Sequence, residues 1–108
     1  MDNVGIIILN YNNWNDTYLC VRSLMKYTNL ESNKIYIVDN NSNEKIDINF
    51  QKEIESIKNI KLIFSTNNGG YSGGNNIGIK QAISDGCKYF MVTNNDIIFT
   101  EDSVTKLS

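Results

Sequence analysis

Residues 4–9 (VGIIIL), 35–38 (IYIV) and 89–92 (YFMV) are nearly unbroken in apolar residues, most of them β-branched or aromatic. A strand with one wet face alternates apolar and polar side chains, so an unbroken run predicts burial on both faces, as in a parallel sheet covered by helices. A fourth run, residues 60–64 (IKLIF), carries Lys61 and reads as lying nearer a sheet edge.

Helical spacing fills the intervals. Asn15 or Asp16 can cap a helix to about Tyr27, with Tyr18, Val21 and Met25 on one stripe and Leu24 beside it. A weaker helix is predicted over residues 50–57, where Phe50, Ile54 and Ile57 share a face. A third is predicted to start near Gly73 or Gly74 and to run to about Ser84, with Ile79, Ala82 and Ile83 as its apolar stripe and Gly86 as its stop. A last pattern opens at Thr100, with Glu101 and Asp102 in its first turn and Val104 and Leu107 on its face. The order β-α-β-α-β-α-β-α predicts an α/β fold: three layers, helices on both faces of a mainly parallel sheet.

Composition narrows the function. The chain has 108 residues and a formal net charge of -2, which disfavours an electrostatic nucleic-acid binder. It has no histidine, which excludes serine–histidine and cysteine–histidine catalysis and any imidazole zinc site. Cys20 and Cys87 show no Cys-x-x-Cys spacing and read as thiols of a reducing compartment. The run at residues 4–9 is too short to span a membrane and lacks a signal peptide's basic flank, so no membrane span and a cytoplasmic location are expected.

The informative pattern is positional. Each strand run is followed by a polar cluster: Asn10-Tyr11-Asn12-Asn13, Asp39-Asn40-Asn41-Ser42, Asn67-Asn68-Gly69-Gly70-Tyr71-Ser72-Gly73-Gly74, and Asn94-Asn95-Asp96. In an open parallel sheet these carboxyl ends lie on one edge, where ligands bind. Singly, each cluster also reads as ordinary turn chemistry. Asp39 could accept hydrogen bonds from a ribose or a base, or close an Asx-turn. Tyr11 could stack on a base, or pack against the protein. The glycine segment fits neither the dinucleotide fingerprint nor a P-loop, but its backbone could approach a phosphate at a helix start, or form a plain loop and cap. Asn94-Asn95-Asp96 offers one carboxylate and two amide carbonyls, hard oxygens suited to Mg²⁺ or Mn²⁺, or Asp96 serves as a cap.

Together, VGIIILNYNNW, IYIVDNNSN, NNGGYSGGNNIGIKQA and YFMVTNNDIIF resemble, in order and approximate spacing, the amino-terminal half of family 2 glycosyltransferases of the GT-A fold. The segment NNGGYSGGNNIGI followed by NNDI is the most specific part, and is similar to the bacterial rhamnosyltransferase-like branch that builds surface polysaccharides. The resemblance implies that Tyr11 and Asp39 hold the base of a uridine- or thymidine-type nucleotide, with Asn10, Asn12 and Asn41 lining the pocket. It implies that Gly70, Gly73 and Asn76 lie against nucleotide or sugar, and that Asn94 and Asp96 fall on the family's D-x-D motif for metal and ribose-diphosphate. The first of these positions is Asn94, so Asp96 alone carries charge there.

The implied partners are a nucleotide-diphospho-sugar of UDP or dTDP type and a saccharide or lipid-linked acceptor. The implied reaction is an inverting hexosyl transfer with Mg²⁺ or Mn²⁺. Residues 1–108 are expected to be the donor-binding part, with the acceptor part and the catalytic base beyond Ser108, so that this chain alone is inactive. The full-length protein is expected in the cytoplasm or peripherally at the inner face of the membrane. A non-catalytic, flavodoxin-like nucleotide-binding module would use the same sheet edge. A nucleotidyltransferase or an NAD-dependent dehydrogenase would want a glycine-rich loop where this chain has NYNNWND.

Overall fold

The computed structural model describes residues 3–65 and 70–95, and for residues 70–72 the backbone alone. The elements run β1 (Val4–Asn10), α1 (Trp14–Tyr27), β2 (Lys34–Asp39), α2 (Ile48–Glu55), β3 (Ile60–Phe64), α3 (Gly70–Ser84) and β4 (Tyr89–Asn94). The last expected helix, at Thr100, lies outside the described residues, as does Asp96.

All strand pairs are parallel and the sheet order is β3-β2-β1-β4. The unbroken apolar run of β1 is explained by this order: β1 has neighbours on both sides and helices above and below. Ile6 and Ile8 face a core with Trp14, Cys20, Val21, Leu24, Phe50 and Ile54, while Ile7 faces one with Tyr36, Val38 and Ala82. Each wholly buried Ile of β1 contributes on the order of 1.5–3 kcal/mol. Helices α1 and α2 thus cover one face and α3 the other. The chain steps outward from β1 to β2 to β3, then returns across the sheet to β4. Right-handed crossovers demand that the reversal place its helix on the opposite face. The reversal falls between β1 and β4, and in such sheets ligands usually bind beyond the carboxyl ends of the strands at that point.

Several local expectations are corrected. Helix α1 starts at Trp14, because Asn13, not Asn15 or Asp16, is the N-cap and accepts from the Asp16 amide at 3.3 Å. Its buried stripe is Trp14, Thr17, Cys20, Val21 and Leu24. Tyr18 is instead 37% exposed, edge-on to Phe50 of α2 with ring centroids 5.0 Å apart. Helix α2 is Ile48–Glu55 rather than residues 50–57; Phe50 and Ile54 are its buried residues, and Ile57 packs beside them from beyond its end. Lys61 does mark an edge strand: β3 ends the sheet order, and Lys61 reaches Asp85 at 2.8 Å.

β4 differs more. It pairs with β1 alone, and Tyr89, Phe90 and Val92 are exposed, so the reading of a strand buried on both faces does not hold for the described residues. A continuous apolar run marks capacity for burial; position in the sheet decides whether it is covered.

Helix α3 begins at Gly70, earlier than Gly73 or Gly74, and Ile83 is exposed rather than part of the stripe. The face turned to the sheet carries Gly74, Gly78 and Ala82, spaced four apart. A Cβ on Gly78 would lie 2.7 Å from Ile7 Cγ2, and one on Gly74 would overlap Leu9 Cδ1. These two glycines therefore serve close helix–sheet packing. Gly86, at φ +89, ends α3 as expected from a glycine in the left-handed region.

Candidate functional site

The strand register brings the polar clusters together. Asn10 pairs with Asp39 across β1 and β2, and Leu9 pairs with Asn94 across β1 and β4. Asp39, Asn10 and Asn94 therefore share the carboxyl edge, with the start of α3 following β3 at that edge.

Asn10 is wholly buried and sits at the centre of a network. Its Nδ2 donates to Asp39 Oδ1 at 2.9 Å and, longer, to Ser42 Oγ at 3.4 Å. Its Oδ1 accepts from Thr17 Oγ1 at 2.6 Å. The Asn10 side chain does not line an open pocket in this arrangement, since β1 turns it inward between α1 and β2; it fixes Asp39 instead.

Asp39, 5% exposed, also closes a turn: Oδ1 accepts from Ser42 Oγ at 2.6 Å and Oδ2 from the Ser42 amide at 3.0 Å. The Asx-turn alternative for Asp39 is thus realised. It does not exhaust the carboxylate, because each oxygen can accept about two bonds and the Ser42 amide takes one place on Oδ2.

Asn12 and Asn41 both adopt positive φ, 52° and 60°, a conformation that asparagine tolerates better than most residues. The Asn12 amide donates to Ser42 Oγ at 2.8 Å, and Asn12 Oδ1 accepts from the amides of Asn43 and Glu44. Glu44 in turn accepts from the Trp14 amide at 2.7 Å, closing the start of α1. The loops after β1 and β2 are therefore one hydrogen-bonded unit. Tyr11, 50% exposed, stands at its surface, and Asn41 is exposed as well.

Asn94 is exposed at the end of β4, and Asn95 anchors that end: its Nδ2 donates to Thr17 Oγ1 at 3.1 Å and to the Asn13 carbonyl at 3.3 Å. Gly70 and Gly73 lie in the first turn of α3, not in a loop. Nothing lies within 4 Å of where a Gly73 Cβ would be, so Gly73, unlike Gly74 and Gly78, faces open space. Asn76 is exposed on the same helix. Among the described residues no group of three or more His, Cys, Asp or Glu could hold a metal, and Asp96, the candidate ligand, lies outside them.

Sequence reasoning missed Ser42, Thr17, Glu44 and Asn95 as organisers of the edge. Ser42 had a local signal, its spacing of three from Asp39. Thr17 had none, since a threonine within a helix names no partner seven residues back.

A groove of about 710 Å³ lies between α1, α2 and the segment joining β2 to α2, lined in part by Trp14, Tyr18, Glu44, Asp47 and Phe50. It lies on the helical layer and its lining includes neither Asp39 nor Asn94, so the strand edge, where the polar clusters meet, is the candidate site. No described helix is long and apolar enough to cross a membrane.

Comparison with known proteins agrees with this architecture. Among curated proteins none matches the chain. Among solved structures, S. aureus TarS 1–349 superposes with TM-score 0.79 at 19% identity, over 96% of this chain and 30% of that one. Its complex with UDP gives 0.81 at 17%, over 97% and 30%, and its complex with UDP-GlcNAc 0.78 at 19%, over 96% and 29%. The chain thus spans about 30% of those chains' length, and the likeness establishes the fold: a parallel α/β sheet of the GT-A type. The sequence profile of glycosyl transferase family 2 matches residues 5–108, from the first strand through the motif after β4, and the chain belongs to that family.

Proposed function

We propose that this chain binds the nucleotide of a nucleoside-diphosphate sugar and forms the donor part of a glycosyltransferase. The observation that carries the reading is the register that sets Asp39, Asn10 and Asn94 on one edge, with Tyr11 exposed beside them, in a chain of this family. Tyr11 offers a face for a base, and Asp39 Oδ2 an acceptor for a base N–H or a ribose hydroxyl. The first turn of α3 directs backbone amides toward a phosphate, with Gly73 leaving room for close approach. Asn12, Asn41 and Asn76 border the same edge, and Asn94 and Asp96 hold the diphosphate end. TarS, solved with UDP and with UDP-GlcNAc, is the reason to test uracil nucleotides first.

In the full reaction an acceptor hydroxyl forms the new bond to the anomeric carbon, the bond to the diphosphate oxygen breaks with inversion, and a carboxylate base takes the hydroxyl proton. A divalent Mg²⁺ or Mn²⁺, when bound through Asp96, would neutralise charge on the departing diphosphate. The base is not assigned to any described residue. Transfer of a hexose, rhamnose-like in the branch resemblance, to a surface polysaccharide acceptor belongs to the same proposal.

Titration calorimetry of the folded chain with UDP, dTDP, GDP and ADP, with and without Mn²⁺, tests it. Binding of UDP or dTDP in preference to GDP and ADP is expected. A folded chain that binds none of the four overturns the donor-site reading. Asp96→Ala is expected to remove any effect of Mn²⁺ on binding, whereas Asp39→Ala weakens binding without metal too.

A further inference from the structure

We propose that Thr17 is a positioning residue that joins the two ends of this site. The inference rests on the donor-site reading for its functional meaning. Thr17 is fully buried in α1, four residues into the helix, and its hydroxyl has a partner on each side. It accepts from Asn95 Nδ2 at 3.1 Å and donates to Asn10 Oδ1 at 2.6 Å. Asn10 then donates from Nδ2 to Asp39 Oδ1 at 2.9 Å. Four side chains thus form one continuous path from the end of β4, through α1 and β1, to the end of β2.

The direction of the donors gives the path its meaning. A hydroxyl has one proton, and the Thr17 proton is spent on Asn10 Oδ1. That choice leaves the Asn10 NH₂ group, not its carbonyl, facing the Asp39 carboxylate. Removal of the Thr17 hydroxyl takes the acceptor from Asn95 and leaves the buried Asn10 carbonyl without that donor. An amide flip that rescued the carbonyl would turn oxygen toward oxygen at Asp39. Thr17 therefore couples the Asn10–Asp39 bond to the end of β4, so that the Asp39 carboxylate, which Ser42 also holds, and the residues preceding Asp96 keep a fixed spacing.

Two measurements test the proposal. The first is UDP affinity, without metal, of Thr17→Val, which keeps shape and loses the hydroxyl, and of Thr17→Ser, which keeps the hydroxyl. Val is expected to weaken UDP binding roughly tenfold or more, and Ser to stay within about twofold. Affinity of the Val variant within about twofold of the parent overturns the proposal while leaving the donor reading intact. The second needs no ligand: the side-chain amide resonances of Asn95 are followed by NMR when Asp39→Asn is introduced. The path predicts that Asn95 shifts in the Thr17 parent and in Thr17→Ser, and not in Thr17→Val. An unmoved Asn95 resonance in the parent and in Thr17→Ser overturns the proposal even if Thr17→Val fails to fold. A shift in a chain that binds no nucleotide would overturn the donor reading and keep the network.

Discussion

Asn10 and Asp39 occupy directly paired positions of β1 and β2, and Asn10 Nδ2 donates to Asp39 Oδ1 at 2.9 Å. The pair sits at the last residue of each strand, where the sheet gives way to its loops. One member is wholly buried and the other 5% exposed, so the bond is shielded from water. Replacing Asn10 with leucine keeps volume and removes both polar ends. Thr17 loses its acceptor and Asp39 one of its donors, at a cost of about 1–3 kcal/mol. Urea denaturation of Asn10→Leu should show that loss as a lowered midpoint, and UDP affinity should fall with it.

Tyr11 should separate from its neighbour in the opposite way. It is 50% exposed, so Tyr11→Ala should change stability by no more than about 0.5 kcal/mol. If it stacks on the base, nucleotide binding should weaken by about 1–3 kcal/mol, roughly five- to 150-fold. Thermal melts and calorimetry on the same variant check both halves. Unchanged affinity for UDP would remove Tyr11 from the site.

The glycines of α3 should divide by sign. A methyl on Gly78 would meet both γ carbons of Ile7, a stiff β-branched side chain on the central strand. Overpacking there costs about 1–3 kcal/mol, more than the ~1 kcal/mol that alanine gains over glycine in a helix at the upper end of that range. Gly78→Ala is therefore expected to lower the melting temperature, and Gly78→Val to lower it further. Gly73 has open space around it, so Gly73→Ala should raise stability by up to about 1 kcal/mol. If Gly73 lies against the donor, the same variant should lose nucleotide affinity as it gains stability.

Asp85 gives a pH signature. It accepts from Lys61 Nζ and Tyr36 Oη, both at 2.8 Å, and from Gln81 Nε2 at 3.3 Å. Burial pushes its carboxyl up, but the bonds from Lys61, Tyr36 and Gln81, with the Lys61 charge, outweigh it and hold the group below its ordinary 3.8. Burial likewise raises the Tyr36 phenol, and its bonds to Asp85 and Cys87 raise it further, so Tyr36 remains a donor across the neutral range. A depressed carboxyl contributes stability that is present above its unfolded value and lost as pH falls through its folded one. The stability difference between parent and Asp85→Asn should be full above about pH 5 and shrink below pH 3.8. A difference that does not change from pH 6 to about pH 2 would show that the charge of Asp85 does not matter.

The local pattern of residues determined the strands, their succession along the chain and the polar character of their carboxyl ends. Those follow from side-chain shape and period, which are carried by neighbours in sequence. The edge position of β3 was legible in Lys61, and the end of α3 in Gly86. The resemblance of the strand-end segments to glycosyl transferase family 2 was legible too, and the family match over residues 5–108 agrees with it.

Tertiary structure decided which polar residues stand exposed at the strand edge and which hold the others in place. Asn10 and Tyr11 are adjacent in sequence, yet one is wholly buried and the other half exposed. The reason is that the partners of Asn10 are Thr17 in a helix and Asp39, which lies 29 residues along the chain. The same distinction separates Gly73 from Gly78: both permit close approach, and only the packing of α3 on β1 shows which one has the sheet beneath it. A sequence specifies what a side chain can bond or bury, and the fold determines what is within reach.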